Sequence, residues 1–83
     1  MKLRLRYFAS IREALGASET IDIAAGANVG AVRDALIARG GAHASALARG
    51  RALRSALDQV LCDESAVVLD GSELAFFPPV TGG

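Results

Sequence analysis

Residues Lys2 to Phe8 alternate strictly, with Leu3, Leu5 and Tyr7 on one side and Lys2, Arg4, Arg6 and Phe8 on the other. A period of two belongs to a half-buried strand. The segment therefore predicts a first strand whose charged face carries one aromatic ring, Phe8. Ser10-Ile11-Arg12-Glu13 then has the spacing of a capping box, in which the Ser hydroxyl accepts from the N3 amide and the Glu reaches back to the N-cap amide. A short helix stopped by Gly16 is expected. Glu19 to Ile23 predicts a second strand, antiparallel to the first with Ile21 and Ile23 inward, and the breaker-rich 24–27 follows it.

The main helix follows. Asn28 is suited to the N-cap, Val29, Val32, Ala35 and Leu36 form one stripe at helical spacing, and Gly40-Gly41 ends the run. Gly30 in its first turn runs against helix propensity. The Ala-rich stretch from Ala42 to Arg51 fits one further helical turn and a loop. Leu53 to Cys62 reads as a strand or as a strand pair with a turn, and Val67 to Leu69 as a short strand. Asp70-Gly71 signals a turn before a last strand from Glu73 to Pro78. In that strand Leu74 and Phe76 point inward, and Glu73, Ala75 and Phe77 outward.

This order predicts an α+β fold, in which one sheet buries one face beneath one long helix. The economical solution is a ubiquitin-like β-grasp: a mixed sheet with one main helix packed on it and the first and last strands adjacent at its centre. Phe8 would then neighbour Phe77. Residues 1–77 are expected to form the domain, and 78–83 an extended tail.

Composition narrows what such a domain does. A chain of 83 residues supports one modest core and no large cleft, because chains this short bury only about 60% of their unfolded surface. Nine basic and nine acidic residues cancel, which leaves no electrostatic footprint for nucleic acid. The lone Cys62 cannot form an internal disulfide and points to a reducing, cytoplasmic compartment. The alternating N-terminus is neither a signal peptide nor a membrane span.

Catalytic and metal chemistry find little material. Nucleophilic catalysis needs a base within reach, and the single His43 lies far from Cys62 in sequence, so solvated loop residue and small strand hydrophobe are the favoured readings of the two. One Cys and one His cannot supply the three or four ligands of a zinc site. Asp58, Asp63, Glu64, Asp70 and Glu73 fall at strand ends and turns and read as solvated surface rather than as acid-base pairs. The glycines match neither a dinucleotide fingerprint nor a P-loop. No metal site and no cofactor bound by this chain is expected.

Two features remain. Phe8 and Phe77 are outward rings on adjacent strands, and clustered exposed aromatics mark a partner surface; Leu61 joins them if the strand parity there places it on the same face. The second feature is the ending AFFPPVTGG. Pro78 and Pro79 lack amide donors and stop the ladder, so Pro78, Pro79, Val80, Thr81 and Gly82 can leave the sheet as a thin thread carrying the Gly83 carboxylate. Six extended residues reach roughly 20 Å at about 3.3 Å each. An ionised carboxylate is a poor acyl electrophile, so another enzyme must activate it, for example as an acyl-adenylate.

AFFPPVTGG at 75–83 and FASIREALG at 8–16 resemble the small, sulfur-carrying subunits of molybdopterin synthases; the match is weaker over 40–56. The resemblance implies that an activating enzyme uses ATP to adenylylate Gly83 and that a thiocarboxylate follows. Its sulfur would pass to cyclic pyranopterin monophosphate in the large, catalytic subunit, and two transfers would make the molybdopterin dithiolene. This chain would be the non-catalytic donor in a heterotetramer of two large and two small subunits. Phe8, Leu61 and Phe77 would form the hydrophobic contact. A thiamine-pathway sulfur carrier, a ubiquitin-like protein modifier and a purely structural binding module stand as alternatives, with neither membrane nor nucleic acid among the partners.

Overall fold

The computed structural model describes residues 1–79. Its elements run β1 (Lys2–Tyr7), α1 (Ala9–Leu15), β2 (Ser18–Asp22), α2 (Val29–Ile37), α3 (Gly41–Ala46), β3 (Arg54–Leu57), β4 (Val60–Cys62) and β5 (Glu73–Phe77). The sheet order is β2-β1-β5-β3-β4. β1 and β5 pair in parallel, while β1–β2, β5–β3 and β3–β4 are antiparallel. The first and last strands thus meet near the middle of a mixed sheet, as the β-grasp reading requires.

Alternation along β1 fixes which face is buried. Leu3, Leu5 and Tyr7 enter the core with Leu74 and Phe76 of β5, and the α2 stripe of Val29, Val32 and Leu36 packs in the same cluster. Ala46, Leu47 and Val68 close it from the following segments. Burial of large aliphatic and aromatic side chains contributes roughly 1.5–3 kcal/mol each, so these residues carry most of the stability of a small domain. Asn28 caps α2, its side-chain oxygen accepting from the Ala31 amide at 2.8 Å.

Several expectations need correction. The capping box at Ser10 does not form: α1 begins two residues earlier relative to that motif, with Phe8 as N-cap in extended geometry and no side-chain cap. The Phe8 carbonyl instead accepts from the amides of Ile11 and Arg12. The turn is made by Ala9, whose φ of 53° is left-handed, and this makes Ser10 a residue of the helix itself rather than its cap. Gly16 does end α1, with φ 91° and its amide donating to the Arg12 carbonyl at 2.8 Å. Val67 forms only an isolated bridge to Asn28, so no strand runs from Val67 to Leu69. α2 stops at Ile37, and Gly40 and Gly41, expected to end it, are the N-cap and first residue of α3, which runs into the Ala-rich stretch; Leu53 to Cys62 is a hairpin turned at Asp58 and Gln59, both of positive φ. β5 stops at Phe77, one residue before the expected end.

Gly30 also finds its reason. Its amide donates to the Glu64 carbonyl at 3.0 Å, and an added Cβ would lie 3.2 Å from Glu64 Oε1. The first turn of α2 accepts a poor helix former because the 63–66 segment passes against it.

Candidate partner surface and tail root

The register assembles the open face of the sheet, the side away from the helices, in rows. Arg6 pairs with Ala75, Ala75 with Ala56 and Ala56 with Leu61. In the next row the Phe8 amide donates to the Phe76 carbonyl at 3.3 Å, and Phe77 pairs with Arg54. The uncertain parity at Leu61 is thereby resolved: Leu61 shares the face of Phe8 and Phe77. The two rings meet edge to face, with centroids 6.5 Å apart and planes at 86°. Phe8 is 40% exposed and Leu61 60%, and Phe77 is half-buried. Ala75 belongs to this face but is only 8% exposed, since its neighbours on either side overhang a methyl group.

Arg6 borders the patch. Its guanidinium carbon lies 5.5 Å from the Phe8 ring centroid and Nη1 lies 3.8 Å from Glu73 Oε1. The arrangement is a flat apolar strip edged by cations, suited to covering by another protein.

The strip lies where the chain leaves the sheet. Pro78, half-buried, and Pro79, exposed, follow β5 outside any regular element. The expected tail residues Val80, Thr81, Gly82 and Gly83 lie outside the described residues.

The remaining chemistry-bearing residues do not converge. Cys62 lies on β4 at one edge of the sheet beside Ser55, whereas His43 on α3 engages Glu19 of β2, the opposite edge. No group of three or more potential metal-binding side chains occurs among the described residues. Asp58, Asp63 and Asp70 accept from the backbone amides of Glu73, Ser65 and Lys2. They are turn fasteners rather than an acid-base pair. Among the described residues no helix is long and apolar enough to cross a membrane.

Two polar networks escaped the sequence reading. His43 is not a solvated loop residue: with Tyr7 it meets Glu19 Oε2, each at 2.8 Å, while Arg39 Nη1 donates to Glu19 Oε1 at 2.7 Å. Burial pushes the Tyr7 hydroxyl well above the ordinary phenol range, and its hydrogen bond to Glu19 adds to this. Burial also opposes ionisation of Glu19, yet the hydrogen bonds from His43, Tyr7 and Arg39 hold its carboxyl below the ordinary value. The second network centres on buried Arg33, which donates to the carbonyls of Leu47, Ala48 and Arg51 and to Glu64. Arg49 joins Glu64 to Asp34 and holds the Glu64 carboxyl low. Arg33 was findable: it follows Val29 by four positions and precedes Leu36 by three, on the apolar stripe, where a charged residue must have buried partners.

A mixed sheet with a parallel central pair, covered by a helix on one face and carrying an apolar strip beside the last strand's exit on the other, defines a small ubiquitin-like β-grasp protein. Comparison with known proteins narrows the class. A family model described as the ThiS family matches residues 5–83. The chain is 38% identical over 81 residues to the molybdopterin synthase sulfur carrier subunit of Escherichia coli (strain K12), covering 98% of this chain and 99% of that one. It is 40% identical over 81 residues to the protein of the same name from Haemophilus influenzae (strain ATCC 51907 / DSM 11121 / KW20 / Rd), with the same coverage. Among solved structures it is similar to SAMP1 from Haloferax volcanii, with TM-score 0.78 and 27% identity over all of both chains. The chain belongs to the ThiS family, and within it resembles the sulfur carriers of molybdopterin synthase.

Proposed function

We propose that this chain is the sulfur-carrying subunit of a molybdopterin synthase and that its reactive group is the Gly83 carboxylate. An activating enzyme joins that carboxylate to the α-phosphate of ATP, releasing pyrophosphate. A sulfur nucleophile then displaces AMP to leave a thiocarboxylate. The large, catalytic subunit receives the tail, and the sulfur forms a carbon–sulfur bond with cyclic pyranopterin monophosphate. Water returns Gly83 to a carboxylate, and two rounds supply the dithiolene.

The observation that carries this reading is full-length similarity to two carriers of that name. The geometry supports it. Phe8, Leu61 and Phe77 lie on one open face at the root of the tail, so docking this strip on a partner aims Pro78, Pro79, Val80, Thr81, Gly82 and Gly83 into that partner. Chemistry requires the acyl carbon about 3–3.5 Å from its reaction partner, while one residue shifts the end by roughly 3.3 Å. Deleting Gly83 should therefore abolish molybdopterin formation from precursor in a reconstituted system, with melting temperature and large-subunit affinity near parental. Near-parental product from the deletion would refute the carrier reading and leave a binding module.

A further inference from the structure

The open face has a polar half that the apolar strip does not explain. Beside Phe8 a shallow groove of about 320 Å³ runs along β1 and β2, lined by Arg4, Arg6, Ser18, Thr20 and Glu73 among others. In the β1–β2 register Arg6 is opposite Ser18 and Arg4 opposite Thr20, so these four residues share the open face.

Both cations are under-used. Among the described residues the Arg6 side chain makes no hydrogen bond; its one ionic neighbour is Glu73 at 3.8 Å, with the two side chains 50% and 19% exposed. Arg4 reaches only the Gly71 carbonyl, at 3.5 Å. Neither of the other nearby carboxylates pairs with them: Asp58 accepts from the Glu73 amide through one oxygen, and Glu19 points to the inner face, where Tyr7, Arg39 and His43 hold it. Arg33, Arg39 and Arg49 each have a carboxylate within hydrogen-bond distance, and Arg12, Arg51 and Arg54 show none among the described residues; what sets Arg4 and Arg6 apart is their shared place in the groove beside Phe8. A guanidinium offers five donors in a planar fork matched to a carboxylate. Arg6 is further held in place by the Phe8 ring beneath it, which leaves its fork directed by the same residue that anchors the apolar contact.

We propose that the open face recognises its partner in two parts: the apolar strip of Phe8, Leu61 and Phe77, and a carboxylate side chain of the partner protein seated between Arg4 and Arg6 in the adjoining groove. The inference rests on the carrier reading for the identity of the partner, the large subunit. Its occupant is an acidic protein side chain because the groove is shallow and continuous with the strip that the partner covers. Glu73 is the internal competitor: its ion pair with half-exposed Arg6 is long, at 3.8 Å, and gives way when a better-placed carboxylate arrives.

The test is the affinity of the full chain for the large subunit, measured by calorimetry at about 0.1 M and about 1 M NaCl, where the Debye length falls from about 10 Å to about 3 Å. Arg4→Gln/Arg6→Gln should weaken binding about tenfold at the lower salt and hardly at all at the higher, since charges at an interface rim act through screened attraction. Arg6→Lys, which keeps the charge, should retain most of the salt-dependent part, and Glu73→Gln should tighten binding at low salt. Phe8→Ala should weaken binding at both salts, and somewhat more at the lower, because the ring also steadies Arg6. Parental affinity and salt dependence in the double variant would overturn the carboxylate contact and leave the carrier reading intact. Absence of binding by the parental chain at both salts would overturn the carrier reading, and the two-part surface with it.

Discussion

Tyr7 and Phe8 are consecutive, as are Phe76 and Phe77, yet each pair is split between the two faces of one sheet. Tyr7 and Phe76 are 1% exposed beneath the helices, whereas Phe8 is 40% exposed and Phe77 half-buried on the open side. The inner rings hold the domain together. The outer rings meet one another edge to face, and Arg6 lies over Phe8. The comparison teaches that aromatic content alone says little: strand parity decides whether a ring serves stability or waits for a partner.

The largest effect should come from breaking the inner half. Phe76→Ala should destabilise the domain by about 3–5 kcal/mol, the usual range for truncating a buried Phe, as measured by urea denaturation. Phe77→Ala, one position away, should cost under about 1 kcal/mol, as expected where a ring is only partly covered. Equal losses at the two positions would erase the distinction between the faces.

The outer half should respond in the opposite sense. Phe8→Ala and Phe77→Ala should leave the fold intact and weaken association with the large subunit by about 2 kcal/mol or more, as truncation of central aromatic anchors does. Calorimetry showing parental affinity in both folded variants would remove the strip from the mechanism.

A smaller effect sharpens how the inner face is secured at its β2 edge. The folded-state pKa of Glu19 is depressed, so the carboxylate binds fewer protons when folded and its contribution is present above the ordinary value of 4.5. That contribution fades as pH falls through the lower folded value. Glu19→Gln should destabilise by about 1–2 kcal/mol at neutral pH, the scale of hydrogen bonds to a charged group. The melting curves of variant and parent should converge in acid. A constant difference across the whole range would assign the effect to packing.

Much of this architecture is visible in the sequence where one period dominates. Leu3, Leu5 and Tyr7 on β1, Asn28 at the start of α2, and the inward Leu74 and Phe76 all follow local rules that tertiary packing reinforces. Where a rule depends on a distant neighbour, the reading fails. Ser10-Ile11-Arg12-Glu13 has the spacing of a cap, but the chain turns earlier, at Ala9, with the Phe8 amide tied to β5. The face of Leu61 depended on the Asp58-Gln59 turn, whose positive φ values carry no glycine signature. His43 lay in an Ala-rich stretch without pattern, and only the fold brings it to Glu19, 24 positions away in sequence. The candidate surface was legible because Phe8 and Phe77 stand against their strands' alternation; the groove beside it was not, because its two arginines look like ordinary solvated charges until the register sets them beside β2 and the Phe8 ring.

The central claim, that the face with the outward rings serves to deliver a chemically loaded terminus, is tested most directly by the intact mass of the chain. The full chain is incubated with its activating enzyme, ATP and a sulfur donor, in parental form and as Phe8→Ala/Phe77→Ala. The account predicts that the parental chain gains the mass difference of one sulfur for one oxygen, localised to the terminal glycine. It also predicts that the double variant, though folded, gains it far more slowly, because the activating enzyme must grip the same root to reach the tail. An unchanged parental mass, or equal loading of both chains, would contradict it.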